Sequence, residues 1–537
     1  MMIPTIPNQL ATLLLAMSSL GLSSAGPQKS FRPTLDSARE NGPQIFNSVH
    51  DAMREFGSAL HHNGMSLYPG VIPKGVLLYH GTNTKEVPKS FEWLAFEIEH
   101  AEGFARGGWR RPNNTDGKPH PGPPGPPPIG LAVQDEHRPP PGPMGEGHLH
   151  IYQALRPLNV LYIDGMAAGK TDMGTLDTQD ILLAGNRSHV SFDERSRADK
   201  LCALAPKWKI DGFIRMEPGF EIIYCDFTDG LVLISANKRP SMDEPGSEDG
   251  RISGFEWARA ASQRYNGIGS SRVVLDYSSV VSAFFYPINL TNPDPKRPEL
   301  PRLLGASDEE MDVVREHVAE SIARSISHLR APIDWQGVSD MIVTRYVKRL
   351  PFIVQTDSID IIKAEVNGLL NIYIDYAEND DGFAGARQRC TEFFLQPVQP
   401  RTSEDKLVYA AFENTTGTIC AALFKARELV VEDPEVDESA AMHAAKQVIG
   451  GLMETLSWSN WKECGVCQPD EVCFVAMWPM GNEEDHEKPS CLNYTAIAGR
   501  NNYWRFSGAP HGSPPPPPAV CANGHPCREH EDLGEEL

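Results

Sequence analysis

The chain has 537 residues, 40% of them hydrophobic, and a formal net charge of −22 at pH 7. Its length exceeds what one hydrophobic core usually organises, so we expect two or three domains, and its apolar content excludes wholesale disorder. The negative charge argues against nucleic acid as a partner, because the long-range field would repel a phosphate backbone.

The first 25 residues predict a cleavable signal peptide. Leu10 to Leu22 is an apolar run, and Ser23 to Ala25 supply the small residues that a signal peptidase needs, although no positively charged segment precedes them. The run is shorter than the about 20 residues that span a bilayer, and a retained N-terminal anchor is the alternative. We expect a secreted protein without stable membrane insertion.

Two further features fit export. The chain has ten cysteines, which suit disulfide bonds in an oxidising compartment. It also has N-x-Ser/Thr sites for a glycoprotein, at Asn113, Asn186, Asn289, Asn414 and Asn493.

After the signal peptide, residues 26–74 predict a polar extension with one amphipathic helix, from Phe46 to Leu60. Residues 75–235 predict one α+β domain rich in antiparallel sheet, with a Pro/Gly-rich surface insertion at 111–144. Its predicted elements are strand Val76–Tyr79, strand Glu92–Phe96, helix Glu97–Arg106, strands His148–Leu155 and Leu158–Ile163, a helical stretch to Leu204, and strands Gly212–Arg215, Glu221–Asp226 and Leu231–Ile234.

The second half predicts mostly helix. Residues 236–300 are expected to be a linker, 301–504 a mainly α-helical, cysteine-containing domain, and 505–537 a Pro-rich acidic tail. The predicted helices are one capped by Ser307 with an apolar stripe to Leu329, one from Asp340 to Leu350 ended by Pro351, and three more at Ile359–Tyr376, Asp405–Leu429 and Ser439–Leu456.

The cysteines allow two interpretations. Cys464, Cys467, Cys473 and Cys491, with Asp485 and His486 nearby, could bind zinc, but disulfides are favoured in a secreted chain. The plausible pairs elsewhere are Cys202 with Cys225, Cys390 with Cys420, and Cys521 with Cys527.

Three tryptophans near these cysteines also allow two interpretations. Trp458, Trp461 and Trp478 could form a carbohydrate-stacking surface, but buried core around the disulfides is favoured.

One familiar motif can be set aside. Asp164–Thr171 resembles a phosphate-binding loop, but Asp164 stands where the first glycine belongs, so backbone amides could not wrap a phosphate. The metalloprotease, serine-hydrolase and dinucleotide-binding signatures are absent from the sequence.

Three segments resemble, in the same order, the three motifs of ADP-ribosyltransferases of the diphtheria-toxin and poly-ADP-ribose-polymerase type. Leu78–Thr82 resembles the first motif, at the end of a strand. Trp93–Phe96, followed by a helix, resembles the second, and Glu221–Asp226 resembles the third, in which a glutamate begins a strand. The resemblance covers residues 76 to 226 and implies NAD as the substrate, with no metal.

The resemblance also implies a role for each site residue. Cleavage of the nicotinamide–ribose bond passes through a cationic sugar, which the carboxylate of Glu221 would stabilise. His80 would donate a hydrogen bond to the ribose beside the adenine, and the backbone of Gly81 would approach the nicotinamide carboxamide. Thr82 would border NAD, and Trp93 would stack on the nicotinamide ring.

The sequence departs from the family in several places. A tryptophan, Trp93, stands where the family usually has tyrosine, and the gap between it and His80 is short. A second aromatic clamp is not fixed, with Phe96 and Tyr152 as candidates. Glu217 competes with Glu221 for the catalytic role.

Each motif residue also has a structural interpretation. His80 could end a strand and form a hydrogen bond to a turn. Trp93 could be an ordinary residue of the hydrophobic core, and Glu221 could be a solvent-exposed glutamate at the edge of a strand.

The predicted function is therefore a secreted NAD-dependent mono-ADP-ribosyltransferase or NAD glycohydrolase, with NAD and an unknown protein acceptor as partners. NAD is scarce outside cells, so the enzyme would meet it inside a target cell, as a toxin or effector does. The alternative is a non-catalytic secreted glycoprotein that binds glycans or a cell surface through its Cys/Trp-rich region. The second half resembles secreted proteins of filamentous fungi, a likeness that adds no activity.

Overall fold

The computed structural model describes residues 31–105, 146–187, 194–240, 252–264, 272–327, 332–377, 383–432 and 437–504. The predicted signal peptide, the Pro/Gly-rich insertion and the acidic tail with Cys521 and Cys527 lie outside these ranges.

The first half of the chain alternates strands with short helices. In chain order its elements are α1 (Leu35–Glu40), α2 (Gly42–Asp51), α3 (Glu55–Leu60), β1 (Ser66–Ile72), β2 (Leu77–Thr82), β3 (Glu92–Ala95), α4 (Ile98–Glu102), β4 (His148–Ala154), β5 (Leu158–Ile163), α5 (Glu194–Cys202), α6 (Ala205–Trp208), β6 (Gly212–Met216), β7 (Phe220–Tyr224), β8 (Leu231–Lys238), α7 (Gly254–Arg259), β9 (Val274–Leu275) and β10 (Val281–Ser282).

The second half is helical apart from one hairpin. Its elements are α8 (Asp308–Ser327), α9 (Trp335–Tyr346), α10 (Arg349–Gln355), α11 (Ile359–Leu370), α12 (Ala384–Glu392), α13 (Ser403–Arg427), α14 (Glu438–Leu456), β11 (Glu471–Phe474), α15 (Glu483–Glu487), β12 (Ser490–Asn493) and α16 (Tyr494–Ile497). The predicted α+β class with a helical, disulfide-containing C-terminal region is confirmed.

The strands of the first half form one sheet in the order β10-β1-β5-β6-β7-β3-β2-β4-β8, with β9 also paired to β1. Its pairs are antiparallel except β5 with β6, which run parallel, so the sheet is mixed where the sequence predicted an antiparallel one. The long connection between these two strands, 164–211, contains α5 and α6 and permits the crossover that a parallel pair needs.

The sheet reaches beyond the predicted domain boundaries. Strand β1 lies in the segment expected to be an extension, and β9 and β10 lie in the segment expected to be a linker. The N-terminal helices pack on the helical half: the Phe46 and Phe412 ring centroids are 4.8 Å apart, and Asn47 donates to the carbonyl of Leu456 at 2.9 Å. The two halves therefore share one hydrophobic core.

Two helix predictions were wrong in their details. The single helix expected from Phe46 to Leu60 is broken between α2 and α3, where Met53 adopts a left-handed φ of 55° and its N–H donates to the Tyr162 hydroxyl. Pro351 does not end a helix but lies in the first turn of α10, where a missing N–H costs no intrahelical bond. The Ser307 cap of α8 is confirmed, because its Oγ accepts from the Glu310 N–H at 3.2 Å.

Four disulfides join the described cysteines. Cys202–Cys225 and Cys390–Cys420 confirm two predicted pairs. Cys464–Cys473 and Cys467–Cys491 join the segment before β11 to strands β11 and β12, so the four candidate zinc ligands are all paired with one another. These bonds are compatible with an extracellular protein. In the described parts of the chain, no helix has the length and apolar character needed to cross a membrane.

Candidate functional site

A cavity of about 470 Å³ lies beside strands β2, β3 and β7. Its wall includes all five residues that the resemblance singled out: His80, Gly81, Thr82, Trp93 and Glu221. The wall also includes the competing candidate Glu217. Among the other wall residues, which the sequence did not assign to the site, are Tyr79, His100, Phe104, Lys170, Glu194, Arg215 and Trp478.

The sheet order explains why these distant segments meet. The strands of the three motifs are direct neighbours, in the order β7-β3-β2. Glu221 pairs with Ala95, and Ala95 pairs with Tyr79, which is the single register pair between β2 and β3. Side chains of paired residues share a face, so Glu221, Ala95 and Tyr79 point to the same side as Trp93. Beyond that pair β2 and β3 separate.

His80 bridges the separated strands. Its Nδ1 lies 2.7 Å from the carbonyl oxygen of Trp93, which can only accept, so the ring proton is on Nδ1. Burial lowers the pKa of His80 to about 4, so the imidazole is neutral and its Nε2 is an acceptor, whereas the resemblance implied a donor to the ribose. Strand alternation also turns this ring away from the Glu221 side, toward His150 and Phe227, at centroid distances of 5.9 and 5.6 Å.

Gly81 is required by packing. A Cβ built on it would lie 2.1 Å from the carbonyl oxygen of Ala101, because α4 crosses directly over this point of β2. The packing of α4 on β2 therefore explains why position 81 is a glycine, whereas the resemblance implied that a ligand approaches the backbone there.

The aromatic walls differ from those expected. Trp93 is half-buried and borders the cavity as predicted, in a T-shaped contact with Phe91 at 6.0 Å. Both candidates for the second clamp, Phe96 and Tyr152, are buried in the main core and do not border the cavity. Tyr79, Phe104 and Trp478 are the other aromatic residues that border the cavity, and Phe104 is 40% exposed.

Glu221 is held by a buried cation. Arg215, on the adjacent strand β6, is fully buried, and its Nε and a terminal guanidinium nitrogen lie 2.9 and 2.7 Å from Glu221 Oε1. Arg215 also contacts Glu194. Burial would raise the pKa of Glu194, but Arg215, Lys170 and Arg197 together lower it to about 2. The negative charges of Glu221 and Glu194 are therefore both balanced by buried cations at the cavity wall.

Glu217 differs from Glu194 in its acidity. Burial raises its pKa to about 7 even though Lys170 Nζ lies 3.1 Å from Glu217 Oε1. Lys170 belongs to the segment that only resembled a phosphate-binding loop, and its ammonium lies 4.7 Å from the ring centroid of Trp478. The chain therefore places two acids of different acidity, Glu217 and Glu194, on the same wall.

A metal is not favoured by these donors. A ring nitrogen of His100 and carboxylate oxygens of Glu217 and Glu221 lie within 4.8 Å of one another. A metal-binding histidine donates its other N–H to an acceptor, but here His100 Nδ1 accepts from the indole N–H of Trp257 at 3.2 Å. Arg215 already forms an ion pair with Glu221, and the ammonium of Lys170 lies 3.1 Å from Glu217 Oε1.

The three tryptophans considered for glycan stacking lie largely inside the protein. Trp458 and Trp478 are buried, and Trp461 stacks on Trp458 with ring centroids 5.0 Å apart. They do not form an exposed aromatic platform.

Comparisons with known proteins give relatives without an assigned activity. A family described as the YPL277C N-terminal domain matches residues 29–140 and 127–245. The uncharacterized protein YOR389W of Saccharomyces cerevisiae is 28% identical over 544 residues, which cover 83% of this chain and 83% of that protein. The uncharacterized protein YPL277C of the same yeast is 35% identical over 222 residues, 36% of this chain and 43% of that protein. No solved structure matches the chain.

Proposed function

We propose that this protein is secreted and cleaves the nicotinamide–ribose bond of NAD, as a mono-ADP-ribosyltransferase or an NAD glycohydrolase. One observation carries the proposal: three motif segments that are far apart in the sequence border one cavity, with Glu221 and Trp93 on the same face of the sheet. A cavity of this volume suits a mononucleotide-sized part of a ligand.

In the proposed reaction, the bond from ribose C1′ to the nicotinamide nitrogen breaks, and its electron pair leaves with neutral nicotinamide. The carboxylate of Glu221 would stabilise the positive charge that develops on the sugar. Arg215 keeps that carboxylate in place, while Trp93 would stack on the departing ring.

Water or an acceptor side chain then forms the new bond to C1′ and loses a proton. Glu217 is suited to accept this proton because burial raises its pKa to about 7, near the operating pH of a general base. His80 has a different role from the one that the resemblance implied: it ties β2 to β3 through the Trp93 carbonyl and acts as a positioning residue.

Release of nicotinamide from NAD by the purified full chain tests the proposal. The wild-type protein should release nicotinamide, and Glu221→Gln should lower the rate of release about 100-fold or more. This is the usual loss of rate when one group that stabilises the charge of a transition state is removed. The matched control is Glu316→Gln, which changes an exposed glutamate on α8 and should leave the rate unchanged.

The absence of release at any protein concentration would overturn the enzymatic proposal. Retention on insoluble polysaccharide in the same preparation would then favour a binding protein.

A further inference from the structure

A buried histidine lies close to two acids of the cavity. His100 lies on α4, is 3% exposed and borders the cavity. Its Nδ1 accepts from the indole N–H of Trp257, which lies on α7, and its Nε2 is buried without a hydrogen-bond partner among the described residues.

Trp257 fixes the tautomer of this histidine. An indole nitrogen can only donate, so the His100 Nδ1 that faces it must carry a lone pair, and the ring proton must be on Nε2. Burial lowers the pKa of His100 to about 4, so the ring is neutral at physiological pH. At the cavity, His100 Nε2–H is therefore an N–H donor that lacks an acceptor among the described residues, and such a donor costs stability until a ligand or water satisfies it.

The distance to the two acids defines what can satisfy that donor. A ring nitrogen of His100 and carboxylate oxygens of Glu217 and Glu221 lie within 4.8 Å of one another, while the donor itself makes no hydrogen bond to them. A group between them must accept from the histidine and donate to a carboxylate. A hydroxyl group does both, as a water molecule does in the absence of a ligand. A carbonyl or an anion would turn lone pairs toward the carboxylates, and an ammonium could not accept from His100.

We propose that His100, positioned by Trp257, forms a subsite for a sugar hydroxyl, which accepts from His100 Nε2–H and donates to Glu221 or Glu217. The inference rests on the proposed function, because that function supplies the sugar: the ribose from which nicotinamide departs. Trp257 lies in the segment that the sequence treated as a linker, so the subsite joins two parts of the chain.

Binding of ADP-ribose, which has this ribose but no bond to cleave, tests the subsite by calorimetry. The probe is compared with its analogue that lacks the 2-hydroxyl of the terminal ribose. The double variant His100→Phe with Trp257→Phe removes donor and acceptor together, so no buried indole N–H is left unpaired. It should weaken ADP-ribose binding roughly tenfold and leave binding of the deoxy analogue unchanged.

Two further variants distinguish the contribution of the His100 N–H donor to ADP-ribose binding from the contribution of side-chain packing. His100→Gln keeps a side-chain N–H donor and should bind ADP-ribose within a few-fold of wild type. His443→Phe changes an exposed histidine on α14 and should have no effect. Equal loss for both probes, or no loss for either, in the double variant would overturn the subsite.

The tautomer has a readout that does not depend on activity. In protein labelled with ¹⁵N-histidine, the His100 signal, assigned by its disappearance in His100→Gln, should show the Nε2–H form, and Trp257→Phe should change it. An Nδ1–H form in the wild type would overturn the subsite even if nicotinamide is released. Hydroxyl-selective binding without nicotinamide release would leave the subsite standing and overturn the catalytic proposal alone.

Discussion

Replacement of Glu217 by Gln is expected to change how stability depends on pH. The Glu217 carboxyl is buried, and burial raises its pKa from 4.5 to about 7 despite the nearby ammonium of Lys170. In the unfolded chain the same carboxyl titrates near 4.5, so between these two values the folded protein holds the extra proton. The free energy of unfolding should therefore fall as pH rises through this window.

The magnitude follows from the width of the window. A difference of about 2.5 pH units at about 1.4 kcal/mol per unit gives about 3 kcal/mol. Relative to wild type, Glu217→Gln should thus gain about 3 kcal/mol of stability between pH 4.5 and pH 7, with no further gain above pH 7.

Urea unfolding followed by circular dichroism at half-unit pH steps measures this difference directly. The control Glu316→Gln, at an exposed position on α8, should follow the wild-type curve at a constant offset. If the free energy of unfolding of Glu217→Gln runs parallel to that of wild type across the pH range, the reasoning is refuted. If the variant instead loses stability relative to wild type as pH rises, the effect of Lys170 on the pKa of Glu217 outweighs the effect of burial.

Three further changes test the fold around the cavity by urea or thermal unfolding. Arg215→Met leaves Glu221 buried without its cation and removes one of the cations beside Glu194, so it should cost about 3–5 kcal/mol. Arg195→Met, which breaks an exposed ion pair with Glu92, should cost under about 1 kcal/mol, and equal losses would contradict this. Gly81→Ala should destabilise by about 1–3 kcal/mol because its Cβ meets the Ala101 carbonyl, whereas Gly450→Ala, in an open position within α14, should stabilise by up to about 1 kcal/mol. Replacing both Cys390 and Cys420 by Ala should cost about 3 kcal/mol, and peptide mapping without reduction should recover this pair in the wild type.

The main strands could be predicted because β4 alternates with the two-residue period of a strand, while β6 and β7 are short, largely apolar runs that are buried throughout. Strand β1 could not, since Pro69 and Gly70 interrupt its pattern, and β9 and β10 are two residues long. The parallel pairing of β5 with β6 was also hidden, because an apolar pattern does not state the direction of a strand.

Some residues of the candidate site could also be predicted from the sequence, and others could not. Glu221 and Trp93 were predicted from the order of the motifs, and the sheet brings them to one cavity. Trp478 could not be predicted, since it comes from the other half of the chain and long-range packing leaves no local pattern. Arg215 had one usable signal: a charged residue inside an apolar strand implies a buried partner.

His80 shows the limit of a motif. Its place in the cavity wall was predicted, but its ring turns away from the Glu221 side, toward His150 and Phe227. Its hydrogen bond to the Trp93 carbonyl fixes Nδ1 as the donor and makes Nε2 an acceptor. A sequence motif predicts the residue type, but the tautomer of a histidine depends on its hydrogen-bond partners in the tertiary structure.

A crystal structure of the Glu221→Gln variant grown with NAD tests the central claim most directly. We expect the nicotinamide ring against Trp93, with its ribose between His100 and position 221. NAD bound elsewhere on the protein, or an unoccupied cavity at saturating NAD, would contradict the proposed function.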